Sequence, residues 1–431
     1  MSTEYKKIAF HTMGCKLNFS ETSMISKDFI NRGFEKVRYK DYADFYVLNT
    51  CSVTDNADKE ARKLIRQAKR VNPNSKVAVI GCYAQLNPKE ISNIKGVDLV
   101  IGSEKKFNLL NELDSIDIAS ETKIVRSDIS EINSFEPSYS IGDRTRTYLK
   151  IQDGCDYVCS FCTIPLARGI SRSDSIKKTI QLANQAIHEG AKEIVLTGVN
   201  IGDFGKLNNE SFLSLIQELD KLDIDRFRIS SIEPNLLSEE IINFCSTSKK
   251  FMPHFHIPLQ SGSDKILTLM RRRYKRSKYL ECVKMIKNVM PDATIGADVI
   301  VGFPGESDND FVESIHFIDK LKVSYLHVFT YSERPNTDAI KFDKKVDNKT
   351  RAKRSSVLRN FSKKILREHE NKFVKSFRPV LFEYIKNDKI VGYTDNYIKV
   401  AVKADPLIIN TIQNVKLTGY GSECIEGELV D

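Results

Sequence analysis

Cys155, Cys159 and Cys162 form a C-x3-C-x2-C run just after the apolar stretch TYLKIQ. Thiols at this spacing wrap a short loop around one inorganic centre, and the preceding stretch supplies a strand for that loop to leave. A 4Fe-4S cubane needs a ligand on each iron, so three cysteines leave one iron open to an external ligand. Closed zinc sites normally take four protein ligands, commonly as two separated pairs, and this loop offers no fourth Cys or His. The chain has nine cysteines, and its N-terminus MSTEYKKIAF lacks the apolar segment of a secretory signal. A cytoplasmic location and thiols committed to metal or catalysis are therefore expected, not a disulfide scaffold. No apolar run approaches the roughly 20 residues of a bilayer span, so no membrane partner is expected.

With 431 residues, 41% of them hydrophobic, two or three domains are expected. Over residues 1–125, the strand candidates KIAFHTMG, DFYVLNT, KVAVIG and VDLVIG alternate with amphipathic stretches, which predicts a doubly wound parallel sheet. A polar stretch over 126–146 reads as a linker. A second alternating series spans 147–375, with strands TYLKIQ, EIVLTG, RFRISS, HFHIPL, TIGADVIVG and VSYLHVF and helices starting near Ser173, Ser211, Ser238, Ser277 and Ser307. Six such units predict a partial (β/α)6 barrel. From 376 to 431, short strands punctuated by Asn, Asp and Gly predict a small all-β barrel suited to single-stranded nucleic acid. The net charge of +9 is concentrated: residues 341–378 hold 14 Lys/Arg against 4 Asp/Glu. That pattern suits a polyanionic partner or a solvated helix face.

Three further cysteines, Cys15, Cys51 and Cys82, each follow an apolar strand run. In a parallel sheet these strands end on one edge, so the thiols converge there and again imply a cluster with one open iron. Cys245, Cys282 and Cys424 lack such placement and read as core or surface residues.

The run ending Phe161-Cys162 resembles the signature of the radical S-adenosylmethionine superfamily, in which an aromatic residue precedes the last cysteine. Stretches at other strand ends agree: Thr197-Gly198-Val199-Asn200, Ser231-Ile232-Glu233-Pro234, Pro258 to Ser263 with Gln260 and Ser261, and Gly296 to Glu306 with Asp298 and Gly302. The resemblance implies that Phe161, Thr197, Gly198, Asn200, Glu233, Gln260, Ser261, Asp298 and Gly302 surround S-adenosylmethionine. Glycines there admit a close backbone approach, and the polar side chains reach ribose, methionyl or adenine groups.

Two three-cysteine sets followed by a small β-domain resemble the methylthiotransferase family over essentially the whole chain. That family has an N-terminal cluster domain, a radical barrel and a C-terminal TRAM domain. Gly14 to Asn18, Asn49 to Asp55 and Gly81 to Gln85 resemble the branch acting on threonylcarbamoyladenosine beside the anticodon. The isopentenyladenosine branch usually has Arg where Thr54 stands and Met where Tyr83 stands, while Phe19-Ser20 departs from the expected pair after Asn18. The resemblance implies two 4Fe-4S clusters. One, at Cys155, Cys159 and Cys162, cleaves S-adenosylmethionine to a deoxyadenosyl radical, and an auxiliary one, at Cys15, Cys51 and Cys82, handles the sulfur inserted at carbon-2 of the adenine. It also implies a tRNA anticodon stem-loop as substrate, an electron donor such as flavodoxin or ferredoxin, and a sulfur donor. Residues 341–378, the run Arg271 to Arg276 and the β-domain are candidate phosphate contacts. The run at Arg271 equally suits a solvated helix start. Alternatives are methylthiolation of isopentenyladenosine or of a ribosomal-protein aspartate, and a non-enzymatic RNA-binding protein with structural clusters.

Overall fold

The computed structural model describes residues 6–51, 55–114, 121–140, 142, 145–421 and 423–430. Thr54, on which part of the branch comparison rests, lies outside them. The first sheet contains β1 (Lys7–Thr12), β2 (Glu35–Val37), β3 (Phe45–Thr50), β4 (Lys76–Gly81), β5 (Leu99–Ile101) and β6 (Lys123–Val125). They lie in the order β2-β1-β3-β4-β5-β6, all parallel. Side chains alternate between faces along a strand, and two apolar cores result. Tyr46, Leu48, Val77 and Val79 meet Ala61, Ile65 and Ala68 of helix α2 (Asp55–Val71). Phe45, Val47, Ala78 and Ile80 meet Ile25 and Phe29 of α1 (Lys16–Asn31) on the other face. This is the doubly wound sheet expected, with β2 and β6 added as three-residue edges too short to read as apolar runs.

All six expected barrel strands form: β8 (Arg146–Lys150), β9 (Glu193–Thr197), β10 (Arg226–Ile229), β11 (His254–His256), β12 (Thr294–Val301) and β13 (Tyr325–Thr330). Neighbours run parallel, and β10 meets β11 through the single bridges Phe227↔Phe251 and Ser231↔His256. The expected linker is not wholly irregular, since β7 (Ser138–Tyr139) within it pairs antiparallel with β8. Helix α1 packs on β7 and β8, beside the opening of the partial barrel. Ser211, Ser238 and Ser307 cap the helices they precede by accepting backbone N–H groups, as the pattern anticipates. Two starts differ: Ser175 caps Ile176–His188, and Lys275 is the cap position of Arg276–Val289.

The basic stretch forms the 24-residue helix Asn348–Asn371, which lies along β13. Beyond it β14 (Phe377–Lys386), β15 (Lys389–Thr394), β16 (Lys399–Lys403), β17 (Ile412–Tyr420) and β18 (Ile425–Leu429) close a small barrel in the order β14-β15-β16-β18-β17. It docks on the larger barrel through buried arginines. Arg226 donates to Pro379 O at 2.8 Å, and Arg228, gripped by Glu193 at 2.8 and 2.9 Å, reaches Asp395 O at 3.1 Å. No helix among the described residues is long and apolar enough to cross a membrane.

Candidate active site

The loop after β8 has little freedom. Gly154 has φ +70°, and a Cβ there would stand 1.9 Å from Ile170 O, so only glycine fits. Ser160 donates from its backbone to Met270 O (3.1 Å) and from its hydroxyl to Leu269 O (2.7 Å), while Ala339 N–H donates to Ser160 O at 2.8 Å. Each of the three sulfurs receives one N–H donor. Tyr157 N–H reaches Cys155 Sγ and Ile164 N–H reaches Cys162 Sγ, both at 3.4 Å, and Arg272 Nη1 reaches Cys159 Sγ at 3.1 Å. Burial pushes the Cys155 and Cys162 thiols up to about 12 even so. Burial thus favours the neutral thiols, and a bound cationic centre would favour their thiolates.

The second set forms at the edge of the first sheet. Register pairs Thr12 with Asn49 and Thr50 with Gly81, so Cys15, Cys51 and Cys82 lie just past three adjacent strand ends. Gly14 has φ +95°, and a Cβ there would lie 2.5 Å from the Cβ of Cys51 and 2.9 Å from its sulfur. The glycine is what lets the two loops approach. Asn18 fastens them, donating to Met13 O (2.9 Å) and Thr50 O (3.1 Å). Burial raises the Cys82 thiol, and the nearby charges of Arg168 and Lys106 oppose that rise.

Among the described residues, the one group of three His, Cys, Asp or Glu ligand atoms within 4.8 Å of one another is His256, Asp298 and His327. Neither cysteine set is that tight, whereas a tetrahedral zinc ion would bring its sulfurs to about 3.8 Å of each other.

The remaining residues singled out from sequence fall into two groups. Phe161, Gln260 and Asp298 line a cavity of about 230 Å³ that also touches Cys162, Ile300 and Phe329. Burial pushes the Asp298 carboxyl up, but hydrogen bonds from His256 (2.9 Å) and His327 (3.3 Å) outweigh it and hold it well below the usual carboxylate range. Glu233 keeps its carboxyl beside Arg272, with burial raising it and the guanidinium opposing. The others are engaged with protein. Thr197 Oγ1 donates to Val195 O (3.1 Å). Asn200 N–H donates to Gln152, and a Cβ on Gly198 would meet that same side-chain oxygen at 2.9 Å. Ser261 Oγ accepts from Ser263 N–H. Gly302 faces Arg351 and donates its N–H to Glu306 at 2.6 Å.

The run Arg271 to Arg276 leads into the helix Arg276–Val289, with Arg271, Arg273 and Lys275 exposed. Arg271 pairs with Asp338 (2.6 Å), Arg273 covers the Tyr157 ring at 4.0 Å, Arg276 pairs with Glu313 (2.7 Å), and buried Tyr274 donates to Pro258 O. It wraps the cluster loop because Arg272 is drawn inward by Cys159 and Glu233 together. Two further residues, Glu21 and Arg168, link the cysteine sets. Fully buried Glu21 on α1 accepts from Lys106 (2.6 Å), Lys150 (3.0 Å) and Arg168 (3.1 Å). Arg168, shortly after Cys162, also donates to Asn18 (2.6 Å) and Asp153 (2.9 Å). Nothing local in the sequence marks these two, because their partners are distant in the chain.

Comparison with known proteins agrees with this geometry. The model of the "Radical SAM superfamily" matches residues 149–318, and that of "Uncharacterized protein family UPF0004" matches 7–102. The fold resembles the radical S-adenosylmethionine methyltransferase TsrM from Kitasatospora setae, with a TM-score of 0.56 at 11% identity over 78% of this chain and 77% of that one. The protein is thus a radical S-adenosylmethionine enzyme, with a 4Fe-4S cluster and S-adenosylmethionine as its cofactors. Threonylcarbamoyladenosine tRNA methylthiotransferase MtaB of Bacillus subtilis (strain 168) is 39% identical over 98% of this chain and 96% of its own length. The namesake from Aquifex aeolicus (strain VF5) is 38% identical over 91% and 96%. The tRNA-2-methylthio-N(6)-dimethylallyladenosine synthase of Endomicrobium trichonymphae is 32% identical over 97% and 99%. The chain belongs to the tRNA methylthiotransferase family.

Proposed function

We propose that the protein attaches a methylthio group to carbon-2 of N6-threonylcarbamoyladenosine beside the anticodon of tRNA. Cys155, Cys159 and Cys162 hold one 4Fe-4S cluster and Cys15, Cys51 and Cys82 a second. When bound, these supply one-electron cleavage of S-adenosylmethionine and a site for the transferred sulfur. One observation supports the reading: Cys15, Cys51 and Cys82 follow three adjacent strand ends, and Arg168, shortly after Cys162, donates to Asn18 (2.6 Å) and Asp153 (2.9 Å), so that sheet edge is tied to the loop bearing Cys155, Cys159 and Cys162.

The chain's own residues position and shield. Phe161, Ile300 and Phe329 form the apolar side of the cavity and exclude water, and Gln260 and Asp298 offer acceptors to a nucleoside. Arg272 holds Cys159 and Glu233 in place. Residues 1–125 act as the auxiliary cluster domain, 126–146 as its connection, 147–375 as the radical core with its basic helix, and 376–431 as the RNA-gripping barrel. Exposed Lys349, Lys353, Arg359, Lys363 and Lys364 on the basic helix are suited to phosphates. A flavodoxin or ferredoxin would deliver electrons, a separate donor the sulfur, and the setting would be the cytoplasm.

The test is to incubate reconstituted, reduced enzyme and S-adenosylmethionine with tRNA carrying either threonylcarbamoyladenosine or isopentenyladenosine, then analyse the nucleosides by mass spectrometry. The 2-methylthio product from the first alone is expected. A product from the second alone would transfer the protein to the other branch.

A further inference from the structure

His256, Asp298 and His327 stand on the three adjacent parallel strands β11, β12 and β13. Register sets their side chains on one face: His327 is the Cα partner of Asp298, and His256 is the partner of Gly296, two residues earlier on the same strand. That face lines the barrel cavity. Along β13, Leu326 and Val328 are buried in the apolar core, whereas the alternate residues His327 and Phe329 are exposed, and Phe329 shares the cavity of about 230 Å³ with Asp298. Both imidazoles converge on one oxygen. His256 Nε2 lies 2.9 Å and His327 Nδ1 3.3 Å from Asp298 Oδ1, and the three atoms all fall within 4.8 Å of one another. Donors bound to one ion at about 2.1 Å lie about 3.0 Å apart at right angles and about 3.4 Å apart in a tetrahedron. The two separations at Asp298 match these values, and rotation about the side-chain bonds of exposed His327 closes the third.

We propose that His256, Asp298 and His327 are the protein ligands of a single divalent transition-metal ion on the wall of the cavity, a site separate from both cysteine sets. It goes beyond the function proposed above and does not depend on which adenosine is modified. Two imidazoles and a carboxylate grouped on one face suit iron(II), manganese(II), cobalt(II) or zinc(II), and they leave the remaining coordination positions to water or to an oxygen atom of a bound molecule. The ligands stand on hydrogen-bonded strands, so the site is preformed. Asp298 is held ionised, as a metal ligand must be, and the ion takes the place of the imidazole protons that meet its carboxylate.

Manganese(II) chloride is the probe, because manganese(II), unlike zinc, is a poor partner for any vacant thiolate. It is titrated into reconstituted holoenzyme that has been freed of loose metal by a chelator and whose clusters are oxidised, and the free ion is followed by electron paramagnetic resonance. Wild type is expected to bind about one manganese per chain, with imidazole nitrogen couplings in spin-echo spectra. His327→Gln and His256→Gln, each at wild-type iron content, are expected to weaken that binding by roughly 10- to 100-fold. His327 is exposed, so its variant decides the matter if His256→Gln loses iron. Wild type that leaves millimolar manganese free overturns the proposal. An ion bound without nitrogen couplings does so too, as does His327→Gln binding manganese as tightly as wild type.

Discussion

Gly14 and Gly154 show how single residues decide whether the cysteine-bearing loops can close on their neighbours. Both have positive φ, and both lie where a methyl group would strike the neighbouring loop, at the Cβ of Cys51 and at Ile170 O respectively. Gly14→Ala should therefore spoil the auxiliary set alone: it is expected to lose about half of the reconstituted iron and all methylthiolation while still forming deoxyadenosine from S-adenosylmethionine. Loss of deoxyadenosine formation as well would mean that the two sets are not independent. Arg272 acts through charge, giving Cys159 the one cationic donor among the three sulfur contacts. A donor to a cluster sulfur favours the reduced, more negative state. Arg272→Met is accordingly expected to shift the radical cluster to a lower potential in a spectroelectrochemical titration, and an unchanged potential would deny the contact its role.

At the scale of elements, the helix Asn348–Asn371 has two faces with different work. Its inner face carries Arg351 paired with Glu333 (2.6 Å), Arg354 paired with Glu306 (2.6 Å), and His369 bonded to Thr294 of β12 (2.7 Å). Burial lowers His369 to about 4. A depressed histidine binds its proton more readily in the unfolded chain, whose value is near 6.5, so its contribution is complete above pH 6.5 and is lost as pH falls towards 4. Between pH 7 and pH 5 this amounts to about 2 kcal/mol. Denaturant unfolding of the iron-free protein should show that loss, and His369→Gln should lack it. On the outer face, Lys349→Glu with Lys353→Glu is expected to weaken tRNA binding and flatten its dependence on salt. An unaltered salt slope would place the RNA elsewhere.

For the molecule as a whole, the buried network at Glu21 joins the first sheet to the radical barrel behind both cysteine sets. Removing one partner strands the remaining charges in a dry interface at roughly 3–5 kcal/mol. Glu21→Ala should therefore lower the midpoint of thermal unfolding clearly, as followed by circular dichroism. The placement of Cys15, Cys51 and Cys82 was legible because strand ends of parallel units share an edge, so local patterns such as VLNT-Cys51 and VIG-Cys82 carry three-dimensional meaning. The six barrel strands were legible for the same reason, each being an apolar run bounded by turn residues. Edge strands β2, β6 and β7 were not, having only two or three residues each. Glu21 and Arg168 also escaped notice, because Glu21's cationic partners stand 85 to 147 residues away in the chain and define what its charge does. The partners of the basic run at Arg271 escaped notice for the same reason, since Asp338, Glu313, Glu233 and Cys159 come from other segments.

The most direct test counts iron and acid-labile sulfide per chain, with Mössbauer spectra, in anaerobically reconstituted wild type and in a variant with Cys15, Cys51 and Cys82 all replaced by alanine. Two separate cubane sites predict about eight irons in the first and about four in the second, with the remaining cluster still binding S-adenosylmethionine. Zinc in place of iron, or about four irons in both proteins, would contradict the account.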